Sequence, residues 1–212
     1  MPSKVLEKYL SNYHGIDDIH LEPLYQIRTS YDVKRVLYPG SWIHLTPSLV
    51  FPFVVYVDYF KGMEKMFTNP ELLEYIYQNS KLNEKPIIKF HKADYKSKIK
   101  ERNASFDLLI SLSSGFVSQA CGLFLRKKGF LFVNNEHYDA IMTYTDPKFQ
   151  LFGVFTYSGK YIIETKKIQE YFLTNKNQKI TVEMVEENSK RSPSKAKYKL
   201  KKKAAFYLFQ KI

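Results

Sequence analysis

Val36-Leu37-Tyr38-Pro39-Gly40-Ser41 is an apolar run that ends in a turn of small residues, and Phe53-Val54-Val55-Tyr56-Val57-Asp58 is a second apolar run that ends on an acid eighteen positions after Gly40. A strand that stops at glycine lets the backbone approach a ligand, and a carboxylate about 20 residues further on can accept hydrogen bonds from ribose hydroxyls. The full G-x-G-x-x-G run is missing, since Ser41, Trp42, Ile43 and His44 follow Gly40. The pair predicts an open α/β sheet with a nucleotide-like ligand at its strand ends.

Working outward, Val5, Leu6, Tyr9, Leu10 and Tyr13 recur at helical spacing and predict an N-terminal amphipathic helix. Residues 14–32 read as irregular and polar. Thr46-Pro47-Ser48 can open a short helix that Pro52 ends. Residues 61–79 read as a helix, or two broken at Pro70. Further strands are expected at Pro86–Phe90, Phe106–Leu112 and Phe130–Asn134. A helix is expected over Gly115–Leu125, closed by Arg126-Lys127-Lys128-Gly129, because cations and glycine favour a helix C-terminus. The runs 149–156 and 160–165, split by Tyr157-Ser158-Gly159, have the grammar of a hairpin, and residues 204–210 close the chain as a strand. Alternating strands and helices predict a Rossmann-like, mainly parallel sheet with helices on both faces and antiparallel strands at one edge.

Composition sets the bounds. At 212 residues, one domain spanning 1–212 is expected, with residues 1–32 as a helix and lead-in and 188–203 as a basic loop before the last strand. The 17 Tyr and 16 Phe supply a core that disordered chains lack. The single Cys121 excludes a disulfide framework and a Cys-rich zinc site, and in an apolar helical run it reads as a small buried residue. Neither a signal-peptide core nor an uninterrupted run of about 18 apolar residues is present, so a soluble cytoplasmic protein with no membrane partner is expected. Of the net charge of +12, half lies in residues 181–212, which hold nine Lys/Arg against three Glu. Lys190, Arg191, Lys195, Lys197, Lys199 and Lys201 form an acid-free stretch that reads either as a nucleic-acid contact or as a solvated loop, with Tyr198 as a base-stacking candidate.

Five strands, intervening helices and a terminal antiparallel addition resemble the class I S-adenosylmethionine-dependent methyltransferases. The likeness covers roughly residues 33–135, with 206–211 resembling the final strand. It implies S-adenosylmethionine as cofactor. It also implies that the first loop, Tyr38-Pro39-Gly40-Ser41, lies against the methionine portion, that Asp58 binds the ribose and that Asp94 contacts the adenine. Ser111 and Ser113 fall where the fourth strand ends, in the turn that completes the cofactor cleft. Two departures accompany the likeness: Tyr38 stands where the family often has an acid, and the first loop keeps one glycine. The Asn/Asp-Pro-Pro-aromatic motif of amino-directed DNA methyltransferases does not follow the fourth strand. Methyl transfer from a sulfonium is an in-line displacement in which positioning supplies much of the acceleration, so no catalytic residue is singled out and the methyl acceptor is unknown.

Two other features compete for notice. His44 could act as a base in the cleft, although a structural hydrogen bond is the commoner role for such a histidine. Glu136, His137 and Asp139 offer donor atoms, but at spacings that match no ligand pattern, so no metal is expected. The alternative function is a Rossmann-like module that has lost catalysis and binds nucleic acid or a protein through its basic C-terminal segment.

Overall fold

The computed structural model describes residues 2–191 and 195–212. Helix α1 (Lys4–Tyr13) begins at Ser3, whose hydroxyl accepts from the Leu6 amide. Helix α2 (Leu21–Ser30) leads to strand β1 (Arg35–Pro39) and, after a 3-10 turn at Thr46–Leu49, to β2 (Phe53–Asp58). Helices α3 (Met63–Phe67) and α4 (Pro70–Asn79) are divided by Asn69, which caps α4 by accepting from the Leu72 amide, with Pro70 at the first helical position. Strands β3 (Ile87–Lys92) and β4 (Phe106–Ser111), short helix α5 (Val117–Cys121), strand β5 (Leu125–Val133) and helix α6 (Asp139–Thr145) follow. The chain ends with the β6 (Phe149–Tyr157) and β7 (Tyr161–Glu164) hairpin, helix α7 (Val182–Ser189) and β8 (Phe206–Lys211).

The eight strands form one sheet in the order β3-β2-β1-β4-β5-β8-β6-β7. Strands β1 to β5 pair in parallel, whereas β8 is antiparallel to both β5 and β6 and β7 is antiparallel to β6. This is the doubly wound order 3-2-1-4-5-6 with an antiparallel strand inserted between its fifth and sixth members. The expected fold class, including the terminal antiparallel addition, is the one observed.

Strand alternation divides the core. Val36, Tyr38, Val54, Tyr56, Leu108 and Ile110 face α1 to α4, while Leu37, Val55, Val57, Leu109, Leu131 and Val133 face α5, α6 and α7. Burial on both faces is why these strands read as continuous apolar runs. Cys121 is buried among the second group, and burial pushes its thiol up to about 12, so it is a packing residue.

Three local expectations are corrected. Residues 14–32 are not irregular: α2 occupies 21–30, and Pro23 sits in its first turn, where no intrahelical N–H bond is lost. The helix expected over 115–125 is only the five residues of α5 plus a 3-10 turn at Gly122–Phe124. Arg126, Lys127 and Lys128 belong to β5, which pairs with β4 from Phe106 onward, and Arg126 Nε reaches Asp107 Oδ1 at 2.6 Å. The acidic helix α7 ends at Ser189, two residues into the segment expected as a basic loop, and of the 188–203 segment residues 192–194 lie outside the described residues. No helix among the described residues is long and apolar enough to cross a membrane.

Candidate functional site

The strand order reverses between β1 and β4, so the crevice outside their C-terminal ends is where open α/β sheets bind ligands. Gly40 follows β1 with φ of +65°, a conformation that favours glycine. Asp58, at the end of β2, is buried, with 4% of its surface exposed. Its Oδ2 accepts from the Trp42 amide at 2.8 Å and its Oδ1 from the Phe60 amide at 3.0 Å. Trp42 itself has φ of +46°, so the carboxylate holds the first loop in a left-handed turn. Gly40 and Asp58 are thus brought to one loop system, coupled further by the Gly40 amide donating to the Val57 carbonyl at 2.8 Å.

The other residues expected in the cleft are placed differently. Tyr38 is turned into the core, where its hydroxyl donates to His44 Nδ1 at 2.9 Å, and burial raises its pKa well above the usual phenol value. Ser41 is buried in the first loop. Asp94 is exposed beyond β3, with its Oδ1 accepting from the Lys96 amide at 2.9 Å. Ser111, the last residue of β4, is buried and donates to Asp139 Oδ2 at 2.6 Å. Ser113 is exposed with φ of +56°; its hydroxyl bonds Glu136 and its amide donates to Asn134 Oδ1 at 3.1 Å.

Ser114 decides how the glycine end is shaped. Its Oγ donates to the Gly40 carbonyl at 2.8 Å, and a Cβ built on Gly40 would stand 2.4 Å from that oxygen. The Tyr95 hydroxyl, bonded to the Ser114 carbonyl, holds the turn there. Asp58 therefore serves the loop backbone, and the space over the glycine is filled by Ser114. Entry of a ligand there requires the 112–116 turn to withdraw.

Sequence reasoning did not find two buried networks. Asp139 accepts from Ser111 Oγ at 2.6 Å, from Ser118 Oγ at 2.5 Å and from the Ser118 amide at 3.1 Å; burial raises its carboxyl above the usual carboxylate value even so. The second joins the N-terminal segment to the first loop. Asp18 Oδ1 meets His20 Nδ1 at 2.6 Å, and its Oδ2 meets His44 Nε2 at 2.7 Å and accepts from Thr46 Oγ1 at 2.5 Å. Burial disfavours the Asp18 carboxylate, but the bonds from the two imidazoles outweigh it and hold the carboxyl well below its ordinary range. Burial pushes His44 down to about 4 despite its bond to Asp18. His44 therefore has the structural hydrogen-bonding role. The sequence signals were His44 itself, read as a hydrogen-bonding histidine, and the polarity of residues 14–32, which equally marks a loop.

Two cavities flank the second network. One of about 720 Å³ lies beyond β5 and is lined by His20, Asn134, Glu136, Tyr138, Lys199 and Phe206. The other, of about 820 Å³, is bordered by Asp18, Ile19, Tyr25, Tyr157 and Tyr161. Neither is lined by Gly40, Asp58 or Asp94.

The fold and loop placement define a Rossmann-like α/β protein with a buried carboxylate, Asp58, at the switch point of its sheet. No protein-family model and no curated protein matches the sequence. Solved structures do. A methyltransferase from Geobacter sulfurreducens is 13% identical with a TM-score of 0.49, over 73% of this chain and 85% of that one. The O-methyltransferase TomG from Streptomyces achromogenes, involved in tomaymycin synthesis and solved in complex with SAM, is 8% identical with a TM-score of 0.48, over 77% and 88%. YcgJ from Bacillus subtilis is 18% identical with a TM-score of 0.39, over 59% and 55%. Across three of the matched structures the chain accounts for 66%, 55% and 57% of their length.

Proposed function

We propose that the chain is an S-adenosylmethionine-dependent methyltransferase whose methyl acceptor is not identified by its residues. The observation that supports this reading best is Asp58: a buried carboxylate at the end of β2, beside a positive-φ glycine at the end of β1, at the switch point of a doubly wound sheet. When bound, the cofactor supplies an electrophilic methyl group. In this reading Asp58 holds the ribose, Asp94 approaches the adenine, and the backbone at Gly40 and Ser41 and the Ser111–Ser113 turn border the methionine portion. The cavity beyond β5 offers room for an acceptor.

Calorimetric titration with S-adenosylhomocysteine tests the reading. Hydrogen bonds to a charged group contribute about 1.5–3 kcal/mol, so Asp58→Ala is expected to weaken binding by more than about tenfold. Asp94→Ala, at an exposed site, is expected to weaken it less. No heat with the unaltered chain, or equal indifference to both substitutions, would overturn the assignment.

A second reading has its own support, because Ser114 fills the space over Gly40 while Lys195, Lys197, Lys199 and Lys201 are exposed. In it the chain is a module without cofactor that binds nucleic acid through its basic segment. Each phosphate contact contributes about 0.9 to the slope of log affinity against log salt. Replacing Lys195, Lys199 and Lys203 with Gln is therefore expected to flatten the slope for a labelled duplex, measured by fluorescence anisotropy; an unchanged slope refutes this role.

A further inference from the structure

Asp18, His20 and His44 present one carboxylate and two imidazoles whose ligand atoms all lie within 4.8 Å of one another. They come from separate places: Asp18 and His20 precede α2, and His44 follows β1. Their convergence is enforced by packing. The Tyr13 ring stacks on His44 with centroids 4.2 Å apart, and His20 lies against Phe206 at 5.2 Å. An outer layer backs His44 and Asp18. Tyr38 bonds His44 Nδ1, Thr46 donates to Asp18, and the Tyr9 hydroxyl meets Thr46 Oγ1 at 3.1 Å. Metal-binding histidines almost always have their second nitrogen fixed by such a partner.

We propose that Asp18, His20 and His44 form a binding site for one divalent transition cation of the zinc class, with its remaining coordination position open to the cavity beyond β5. Two imidazole nitrogens and one carboxylate oxygen are a donor set for borderline cations, and three protein ligands with one open position is the composition of zinc sites that bind water or substrate. His20 lines the cavity beyond β5 and Asp18 borders the other, so a cation has a path in. This proposal does not rest on the methyltransferase reading.

The protonation balance is simple. An ionised carboxylate can only accept hydrogen bonds, so the nitrogens of His20 and His44 that face Asp18 hold protons in the metal-free state. On metal binding each proton shifts to the other nitrogen of its own ring. His44 Nδ1 then donates to the Tyr38 oxygen instead of accepting from it, and the Tyr38 hydroxyl proton, which pointed at that nitrogen, must rotate to a new acceptor. Ligand atoms around a tetrahedral zinc lie about 3.3 Å apart, given metal–ligand distances of about 2.0–2.2 Å. Asp18 meets the two histidines through different oxygens, Oδ1 to His20 at 2.6 Å and Oδ2 to His44 at 2.7 Å, so the carboxylate must turn to give one oxygen to the cation and the separation at that oxygen must open by about 0.6 Å. His20 has 16% of its side chain exposed against 1% for His44, and it is the ligand free to make that adjustment.

The test uses the full chain without a histidine tag, stripped with chelator and titrated with zinc chloride by calorimetry and with Co²⁺ by visible absorption. One equivalent of zinc and the intense bands of four-coordinate cobalt are expected. His20→Ala is expected to lower the affinity at least tenfold, Tyr38→Phe about tenfold through the outer layer, and His137→Ala not at all. Metal-free melting curves of the variants show that each is folded. No heat and no cobalt band would mean that the three residues are a hydrogen-bonded network only, and one equivalent bound equally well by His20→Ala would place the cation elsewhere; either overturns the proposal.

Discussion

Asp139→Ala is expected to destabilise the fold by about 4 kcal/mol. The carboxylate is 2% exposed and is the shared acceptor for two serine hydroxyls and the Ser118 amide. Removing it leaves three buried donors without a partner, and each such group costs about 1–3 kcal/mol. Those donors join the end of β4 to α5 and α6, so the loss falls on three elements at once. For a chain of this length the melting temperature should fall by about 10 °C. Asp139→Asn keeps an acceptor oxygen and should cost much less. Its pH dependence separates the two contributions of the native carboxylate. Because burial raises the folded-state value, the stabilisation linked to this group is complete below the ordinary carboxylate value and is lost as pH rises through the raised one. The amide of the Asp139→Asn variant cannot titrate, so the stability of that variant relative to the native chain should improve as pH rises across that window. Chemical denaturation at a series of pH values measures both. A cost for Asp139→Ala within about 1 kcal/mol, or an Asp139→Asn curve that parallels the native one, would show that the network does not bear on stability.

The parts of this molecule that were legible in sequence are those fixed by local periodicity. The strands Phe53–Asp58 and Phe106–Ser111 are buried on both faces, and an apolar run is the direct trace of that environment. The break at Asn69-Pro70 and the 157–159 turn were legible because caps and turns have their own residue chemistry. What was not legible depends on partners distant in sequence. Arg126 through Lys128 have the composition of a helix end, but the pairing of Leu125 and Phe130 with β4 on either side of them and the contact of Arg126 with Asp107 place them in a strand. Asp139 and Ser111 are 28 positions apart, as are Asp18 and Thr46, and no local pattern links either pair. In the candidate site, the spacing of Gly40 and Asp58 indicated two loops that meet. It gave no sign that Ser114, 74 positions from Gly40, would close over the glycine.

Gly40→Ala is expected to cost about 3–4 kcal/mol, from two separable sources. A non-glycine residue held in the left-handed region costs about 1–2 kcal/mol, and Gly40 has φ of +65°. The rest is steric, since the new methyl would stand 2.4 Å from Ser114 Oγ and 2.5 Å from Ser114 Cβ. A serine side chain has no flexible end to swing away, and the Ser114 carbonyl is tied to Tyr95, so the whole turn must shift and the Ser114 bond to the Gly40 carbonyl is lost. Ser114→Gly removes the obstacle while leaving the backbone cost. In that background Gly40→Ala should cost only about 1–2 kcal/mol, a coupling of about 2 kcal/mol in a double-mutant cycle. Strictly additive costs in urea unfolding would mean that Ser114 is not packed on Gly40. The same pair of variants bears on function, because the two changes act in opposite directions on the space a ligand needs. If Ser114 is the group that a cofactor displaces, Ser114→Gly should tighten S-adenosylhomocysteine binding although it weakens the fold, whereas Gly40→Ala should weaken both. Loss of affinity in both variants would instead make Ser114 part of the binding surface, with its hydroxyl contributing to the ligand what it now gives to the Gly40 carbonyl.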